Sequence, residues 1–322
     1  MAQSIAVICP VFDDWESFQR LVVEMSEQMC GHDIRLHMLA VDDGSRSRFD
    51  VNTIALPPDT CIAAIELVCL AANLGHQRAI AVGLSEIFER EDFDAAIVMD
   101  SDGEDRPADA LALVAAGNSH PEEIVLARRS KRSEGRAFRV GYVTYKLLFR
   151  LATGLRIDFG NFCLLPMPAV RRLVHMPELW NNLAGSIIRS RLSYRTIPTI
   201  RGRRYAGASR MNFIGLIGHG LSAMSVHIDT IFVRLLVAAA FGSALLLAAM
   251  GIAAALRLAT DLATPGWATT VVAASLTLLM QMILLVSAAA LLQMATRSTR
   301  PMIPAKDCSG LVDRKIVRVI AR

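Results

Sequence analysis

At 322 residues the chain has room for one sizeable domain plus further elements, and its net charge of +4 is modest. It lacks the concentrated basic stripe of a nucleic-acid binder, so nucleic acid is not an expected partner. A hydrophobic fraction of 53% and a mean hydropathy of +0.40 sit beside 20% charged residues, which requires that the two populations be segregated.

They are segregated. Charges are spread up to Arg210, and long stretches after it carry almost none. The 6 cysteines have no paired zinc or redox spacing, which suits a reduced, cytosolic main domain. The opening MAQSIAVICPVF runs straight into a strand pattern with no basic start and no cleavage site, so no signal peptide is expected.

Ser4 to Cys9 is a short apolar run of strand type, and Trp15 to Cys30 follows with Phe18, Leu21, Val22 and Met25 at helical spacing. Ile34 to Val41 is the next strand, ending in the acidic turn Asp42-Asp43-Gly44-Ser45. Ile65 to Leu70 leads into Asn73-Leu74-Gly75 and a helix from His76 to Glu89. Ala95 to Met99 stops at Asp100-Ser101-Asp102, and Ile124 to Ala127 stops at the arginine cluster 128–132. Strands alternating with helices predict an α/β fold with a mostly parallel sheet covered on both faces. In such sheets ligands bind beyond the carboxyl ends of the strands. The polar punctuation of this chain falls at those ends.

The sharpest local signal is Asp100-Ser101-Asp102-Gly103-Glu104-Asp105, delivered by an apolar strand. Hard divalent cations take oxygen ligands and keep positions open for substrate phosphates, so Asp100, Asp102 and Glu104 are candidate ligands for Mg²⁺ or Mn²⁺. Asp42 and Asp43 suit hydrogen bonds to a nucleoside, although Asp-Gly is also ordinary turn chemistry. Arg129, Arg132, Arg204 and Arg210 are candidates for gripping phosphate.

Residues 211–230 place Phe213, Leu216, Ile217, Leu221 and Met224 at helical spacing and read as an amphipathic interface helix. Two uncharged stretches follow, Leu235 to Leu256 and Trp267 to Met294, each long enough to cross a hydrocarbon core of about 30 Å. Basic residues after the second stretch place both termini in the cytoplasm by the positive-inside rule. The expected organisation is a catalytic domain over 1–210, the interface helix, spans over 231–257 and 267–295, and a basic cytoplasmic tail over 296–322. Small residues along both spans also permit a homo-oligomer.

With these residues in view, the chain resembles the family 2 glycosyltransferases of GT-A (Rossmann-like) fold, most of all the polyprenyl-phosphate type that includes the dolichol-phosphate mannose synthases. The matching pieces are Pro10-Val11-Phe12-Asp13-Asp14, Val41-Asp42-Asp43-Gly44-Ser45, Asn73-Leu74-Gly75-His76-Gln77-Arg78-Ala79 and the 100–105 turn. Further on come Arg129-x-x-Arg132, Phe159-Gly160-Asn161-Phe162 and Arg204-Tyr205-Ala206-Gly207-Ala208-Ser209-Arg210.

The resemblance implies transfer of a sugar from a nucleotide-sugar donor to polyprenyl phosphate on the cytoplasmic face of a membrane. It implies a donor site of Pro10, Phe12, Asp14, Asp42, Asp43, Asn73, Arg78 and Asp100. It further implies phosphate contacts from Arg129, Arg132, Arg204, Ser209 and Arg210, and a metal held by Asp100, Asp102 and Glu104. The catalytic candidates are Asp102, Asp158 and Asn161. Asn161 stands where many relatives carry an acid. An amide cannot take a proton, so Asp158 is the nearby substitute. Glu104 stands where many relatives have Gln. Other lipid or glycan acceptors, and a non-catalytic protein that binds nucleotide sugars, are the alternative readings.

Overall fold

The computed structural model describes residues 2–90, 92–129, 147–155, 158–206, 213–260 and 266–320. It divides into two compact units. The first comprises residues 1–147, 155–226 and 302–322; the second comprises residues 148–154 and 227–301.

The first unit is built on an eight-stranded sheet in the order β7-β5-β6-β4-β1-β2-β3-β8. Its centre is β1 (Gln3–Val11), which runs parallel to β2 (Ile34–Asp42) on one side and to β4 (Ala95–Val98) on the other. β3 (Ile62–Leu70) continues the parallel set beside β2. Strands buried on both faces need unbroken apolar runs, and β1 is buried from Ile5 through Val11.

α1 (Trp15–Met29) and α3 (Pro107–Ser119) cover one face, with Phe18, Leu21, Met25 and Leu113 inside. α2 (His76–Phe88) and α4 (Met167–Val174) cover the other, with Ile80, Leu84, Val170 and Leu173 inside. Each such fully buried side chain contributes about 1.5–3 kcal/mol relative to exposure. α2 lies close against the sheet because Gly83 has no side chain. A Cβ there would stand 2.6 Å from Ile8 Cγ2 and 2.9 Å from Val41 Cγ2.

The sequence reading finds the five strands up to Ile124 and misses three. β6 (Cys163–Pro166) is only four residues long and runs antiparallel between β4 and β5 (Ile124–Arg129). β7 (Tyr194–Thr199) runs parallel to β5 at one edge. β8 (Val312–Val319) lies antiparallel to β3 at the other edge. The expected basic tail over 296–322 thus includes a sheet strand, in which Val312, Ile316 and Arg318 are partly covered while Val317 and Val319 are exposed. α5 (Leu183–Ser190) and α6 (Phe213–Ser225) complete this unit.

The second unit is a helical hairpin of α7 (Ile228–Ala259) and α8 (Trp267–Ser298), 32 residues each. Their mean hydropathies of 2.3 and 2.2 make both long and apolar enough to cross a membrane. At about 1.5 Å per residue each helix exceeds a 30 Å hydrocarbon core. One end is tied by Asp229, whose Oδ1 accepts from Gln293 Nε2 at 2.6 Å and from Arg297 Nη2 at 3.2 Å. Near the middle, Gly242 lets the helices approach, with Met282 beside it.

Candidate active site

β1 and β4 are neighbours whose following helices pack on the same face of the sheet, while β2 and β3 extend outward on the other side of β1. The loops after β1, β2, β3 and β4 all leave the sheet at one end, because those strands are parallel, and they carry the polar residues.

After β1, Asp13 adopts a left-handed φ of 48°. Its N–H donates to Ser45 Oγ at 2.8 Å, and its Oδ1 accepts from Arg46 N at 2.7 Å, so the first two loops are stitched together. Asp42 Oδ1 accepts from Ser45 N at 2.8 Å. Asp43 is 5% exposed and reaches across to the third loop, where it accepts from Leu74 N at 2.7 Å and Gly75 N at 2.9 Å. Burial raises the Asp43 carboxyl, and those two amide donors offset part of the rise. Gly44 is required at this crossing: its φ is +76°, and a Cβ would stand 2.8 Å from Asn73 N. Pro10 and Phe12 lie at the tip of β1, where the Pro10 carbonyl accepts from Ser101 Oγ at 3.4 Å and Phe12 is exposed.

The acidic turn after β4 is the centre of the arrangement. Asp102 Oδ2 pairs with Arg204 Nη1 at 2.9 Å, and the same guanidinium lies 3.7 Å from Asp14. Glu104 accepts from Arg201 Nη2 at 2.7 Å and Nε at 3.0 Å, with Arg129 at 3.7 Å. Asp105 accepts from Arg129 Nη2 at 3.1 Å and from the Asp100 backbone N–H at 3.0 Å. Asp100 Oδ1 lies 3.3 Å from His76 Nε2, which is also 3.1 Å from Asn161 Nδ2. Asp14, Asp100, Asp102, Glu104, Arg129, Arg204 and Asn161 thus form one continuous set of contacts.

Among the described residues the acids of this turn outnumber their counter-charges. Burial, then repulsion from Asp102, raises the Asp100 carboxyl; burial, then repulsion from Asp100, raises Asp105. Asp102 is raised by burial as well. His76 moves the other way: although two-fifths of its side-chain surface is accessible, the crowded recess desolvates the ring and lowers it. A cluster of desolvated oxygen donors short of positive charge is a setting a hard divalent cation relieves, and Asp100, Asp102 and Glu104 supply the right donor type. Among the described residues no three such groups already converge as a ligand set, because Arg204 and Arg201 hold Asp102 and Glu104. Arg204 Nε is buried and has no acceptor among the described residues.

Loop 200–206 is held over this turn by backbone bonds from Gly202 N to Glu104 O and from Tyr205 N to Asp102 O, both 2.8 Å. Tyr205 also donates its hydroxyl to Glu24 at 2.6 Å beneath the Arg20 guanidinium, and its ring fills the space where a Gly103 side chain would be.

The contacts seen among the described residues do not take in every anticipated one. Arg78 lies over the Trp180 ring at 5.3 Å, Asn73 is exposed, and Asp158 is exposed on the chain before Asn161. Arg132, Ser209 and Arg210 lie outside the described residues. Four members of the cluster were not singled out from sequence: His76, Asp105, Arg201 and Tyr205. A signal for His76 exists in hindsight, since it opens α2 directly after the strand-end Gly75. Arg201 opens the short basic run 201–204, which in sequence suits either the phosphates of a small ligand or the charges of a solvated loop.

No protein-family profile matches the sequence. A curated protein of Bacillus subtilis (strain 168) described as an uncharacterized glycosyltransferase, YkoT, is 22% identical over 237 residues, covering 69% of this chain and 68% of its own. Among solved structures, glucosyl-3-phosphoglycerate synthase from Mycobacterium tuberculosis, in complex with Mn²⁺, UDP-glucose and phosphoglyceric acid, superposes with a TM-score of 0.50 at 13% identity. That match covers 71% of this chain and 80% of the other, and a second crystal of the same complex gives the same figures. The sheet, its crossovers and these likenesses give the chain a GT-A-like glycosyltransferase fold.

Proposed function

We propose that this protein is a membrane-anchored glycosyltransferase that moves a sugar from a nucleotide-sugar donor to polyprenyl phosphate at the cytoplasmic face. The observation that carries the reading is the bridge made by Arg204 between Asp14 and Asp102, with its own Nε left as an orphan donor. A guanidinium set between strand-tip carboxylates, with one N–H unspent, suits a diphosphate oxygen. The named activity of the Bacillus relative and the UDP-glucose held by the mycobacterial enzyme support the donor class.

In this reading Asp42, the Asp13–Ser45 stitch and Phe12 receive the nucleoside. Asp100, Asp102 and Glu104 would hold Mg²⁺ or Mn²⁺, which when bound neutralises the diphosphate leaving group. Arg129, Arg201 and Arg204 hold the acidic turn in shape and offer phosphate contacts. Asn161 orients His76 beside Asp100 and takes no proton. A phosphate acceptor arrives already ionised, so attack on the sugar needs no base from the protein.

The lipid acceptor is supported by chain connectivity. The chain leaves the sheet-bearing unit at Val226 and returns to it at Met302, so a spanning hairpin has both ends on the side of that unit. The basic residues after α8 favour the cytoplasm for that side.

The test is product formation. Purified full-length protein in vesicles, given a panel of nucleotide sugars and short polyprenyl phosphates, is expected to yield a glycosylated lipid detectable by mass spectrometry. Asp102→Ala is expected to reduce the yield by about a hundredfold or more. Product undiminished in that variant would remove Asp102 from the chemistry. No product with any donor would favour a non-catalytic nucleotide-sugar binder, the reading to which Asn161 lends weight.

A further inference from the structure

The 6 cysteines are free thiols, and Cys9, Cys69, Cys163 and Cys308 are buried. Cys30 and Cys61 are partly open to solvent and stand together, although 31 positions separate them in sequence. Cys30 caps the C-terminus of α1, where its N–H donates to Ser26 O at 3.0 Å. Cys61 lies just before β3, and its carbonyl accepts from Leu36 N of β2 at 2.9 Å. Across the gap, the Cys61 N–H donates to Cys30 Sγ at 3.0 Å.

One residue organises the pair. Ser26 is fully buried on α1, with its Oγ 3.5 Å from Cys30 Sγ and 2.8 Å from Thr60 Oγ1. Its carbonyl lies 3.9 Å from Cys61 Sγ, so both sulfurs gather on the last turn of the helix. Burial, then a hydrogen bond from its thiol to Cys30, pushes Cys61 up to about 12. Cys61 therefore stays protonated, and Cys30 is the sulfur left to attack. A disulfide needs two backbones already fixed at short range with their sulfurs facing, and that is the arrangement here. The pair sits at the end of the sheet where β3 begins, opposite the loops that carry the candidate site.

We infer that Cys30 and Cys61 form a reversible redox staple, closed by a small-molecule disulfide such as glutathione disulfide and opened by thiols. In the first step the Cys30 sulfur attacks the small disulfide, forming a mixed disulfide and releasing one small thiol with the Cys30 proton. In the second the Cys61 sulfur attacks Cys30 Sγ, the bond between the two closes, and the second small thiol leaves with the Cys61 proton. The protein loses two hydrogens and the small disulfide gains them. The closed loop holds all of β2 and the Asp42-Asp43-Gly44-Ser45 turn, so the staple restrains that segment without occupying the site. The inference does not depend on what the site binds.

The test is a redox titration of the full-length protein in vesicles. The protein is equilibrated with mixtures of oxidised and reduced glutathione, remaining thiols are trapped with N-ethylmaleimide in denaturant, and peptides are mapped by mass spectrometry. The expected product is a Cys30–Cys61 disulfide, with Cys9, Cys69, Cys163 and Cys308 recovered as trapped thiols. Dithiothreitol is expected to reverse the link. Cys61→Ser is expected to stop at glutathione held on Cys30. The oxidised parent is expected to melt about 5 °C above the reduced one, a difference that Cys30→Ser loses. Free Cys30 and Cys61 in the parent across the whole series, or glutathione on Cys30 with no link to Cys61, would overturn the inference. A link that leaves the melting temperature unchanged would overturn the restraint assigned to it.

Discussion

Tyr205 illustrates how a residue without contact to any reacting group can govern a site. Its backbone N–H reaches Asp102 O, its ring rests against Gly103, and its hydroxyl reaches Glu24 on α1, so it sets the height of Arg201 and Arg204 over the acidic turn. Burial, then the hydrogen bond to Glu24, keeps its hydroxyl protonated far above neutral pH, leaving it a fixed donor. Tyr205→Phe keeps the ring and removes one hydrogen bond, costing about 1 kcal/mol of stability. The expected kinetic result is a several-fold fall in kcat with a smaller change in donor KM, and Tyr205→Ala is expected to be far worse. Equal kcat and KM for Tyr205→Phe and the parent would show that the hydroxyl does not register the loop.

At the scale of elements, the parallel strands are pinned by a buried polar triad away from the candidate site. Glu66 of β3 is fully buried, accepts from His37 Nε2 of β2 at 3.0 Å, and pairs with Arg90 just beyond α2. Burial alone would raise the Glu66 carboxyl, but the bonds from His37 and Arg90 outweigh it and hold the group below its ordinary range. A carboxyl lowered by folding contributes stability above its unfolded value of about 4.3 and loses it as pH falls through the lower folded value. Thermal melts between about pH 5 and pH 3 are therefore expected to drop less steeply in Glu66→Gln than in the parent. At neutral pH that variant is expected to be the less stable, because Arg90 loses its partner. Parallel melting curves over the acid range would assign the slope to other carboxylates.

For the whole molecule, the decisive feature is that the chain returns to the sheet after the hairpin. β8 pairs with β3 along its length, from Ala64 with Val319 to Leu70 with Val312. Arg318 also donates to the carbonyls of Val51 and Ile54, closing the connection between β2 and β3. Under the proposed topology two crossings bring the chain back to its starting side, so residues 260–266 are expected on the far side of the membrane. In a bacterial host, alkaline phosphatase fused after Thr260 is expected to be active, and a fluorescent protein fused after Arg322 is expected to fluoresce in the cytoplasm. Activity of the phosphatase when it follows Arg322 instead would invert the proposed topology.

What the sequence determines by itself is local. Apolar runs that end in polar turns define the strands up to β5, and the 100–105 carboxylates are legible because they are adjacent in the chain. The long uncharged stretches announce α7 and α8 for the same reason, since length and hydropathy are properties of a contiguous segment. The tertiary structure alone decides which distant charges meet: Arg201 and Arg204 reach a turn about a hundred residues earlier, and His76 stands between Asp100 and Asn161. It also shows Asp43 as the acceptor that fixes Leu74 and Gly75, and it makes residues 312–319 a strand. Edge strands such as β7 and β8 owe their existence to a partner strand already in place, and no period within a segment encodes which partner that is.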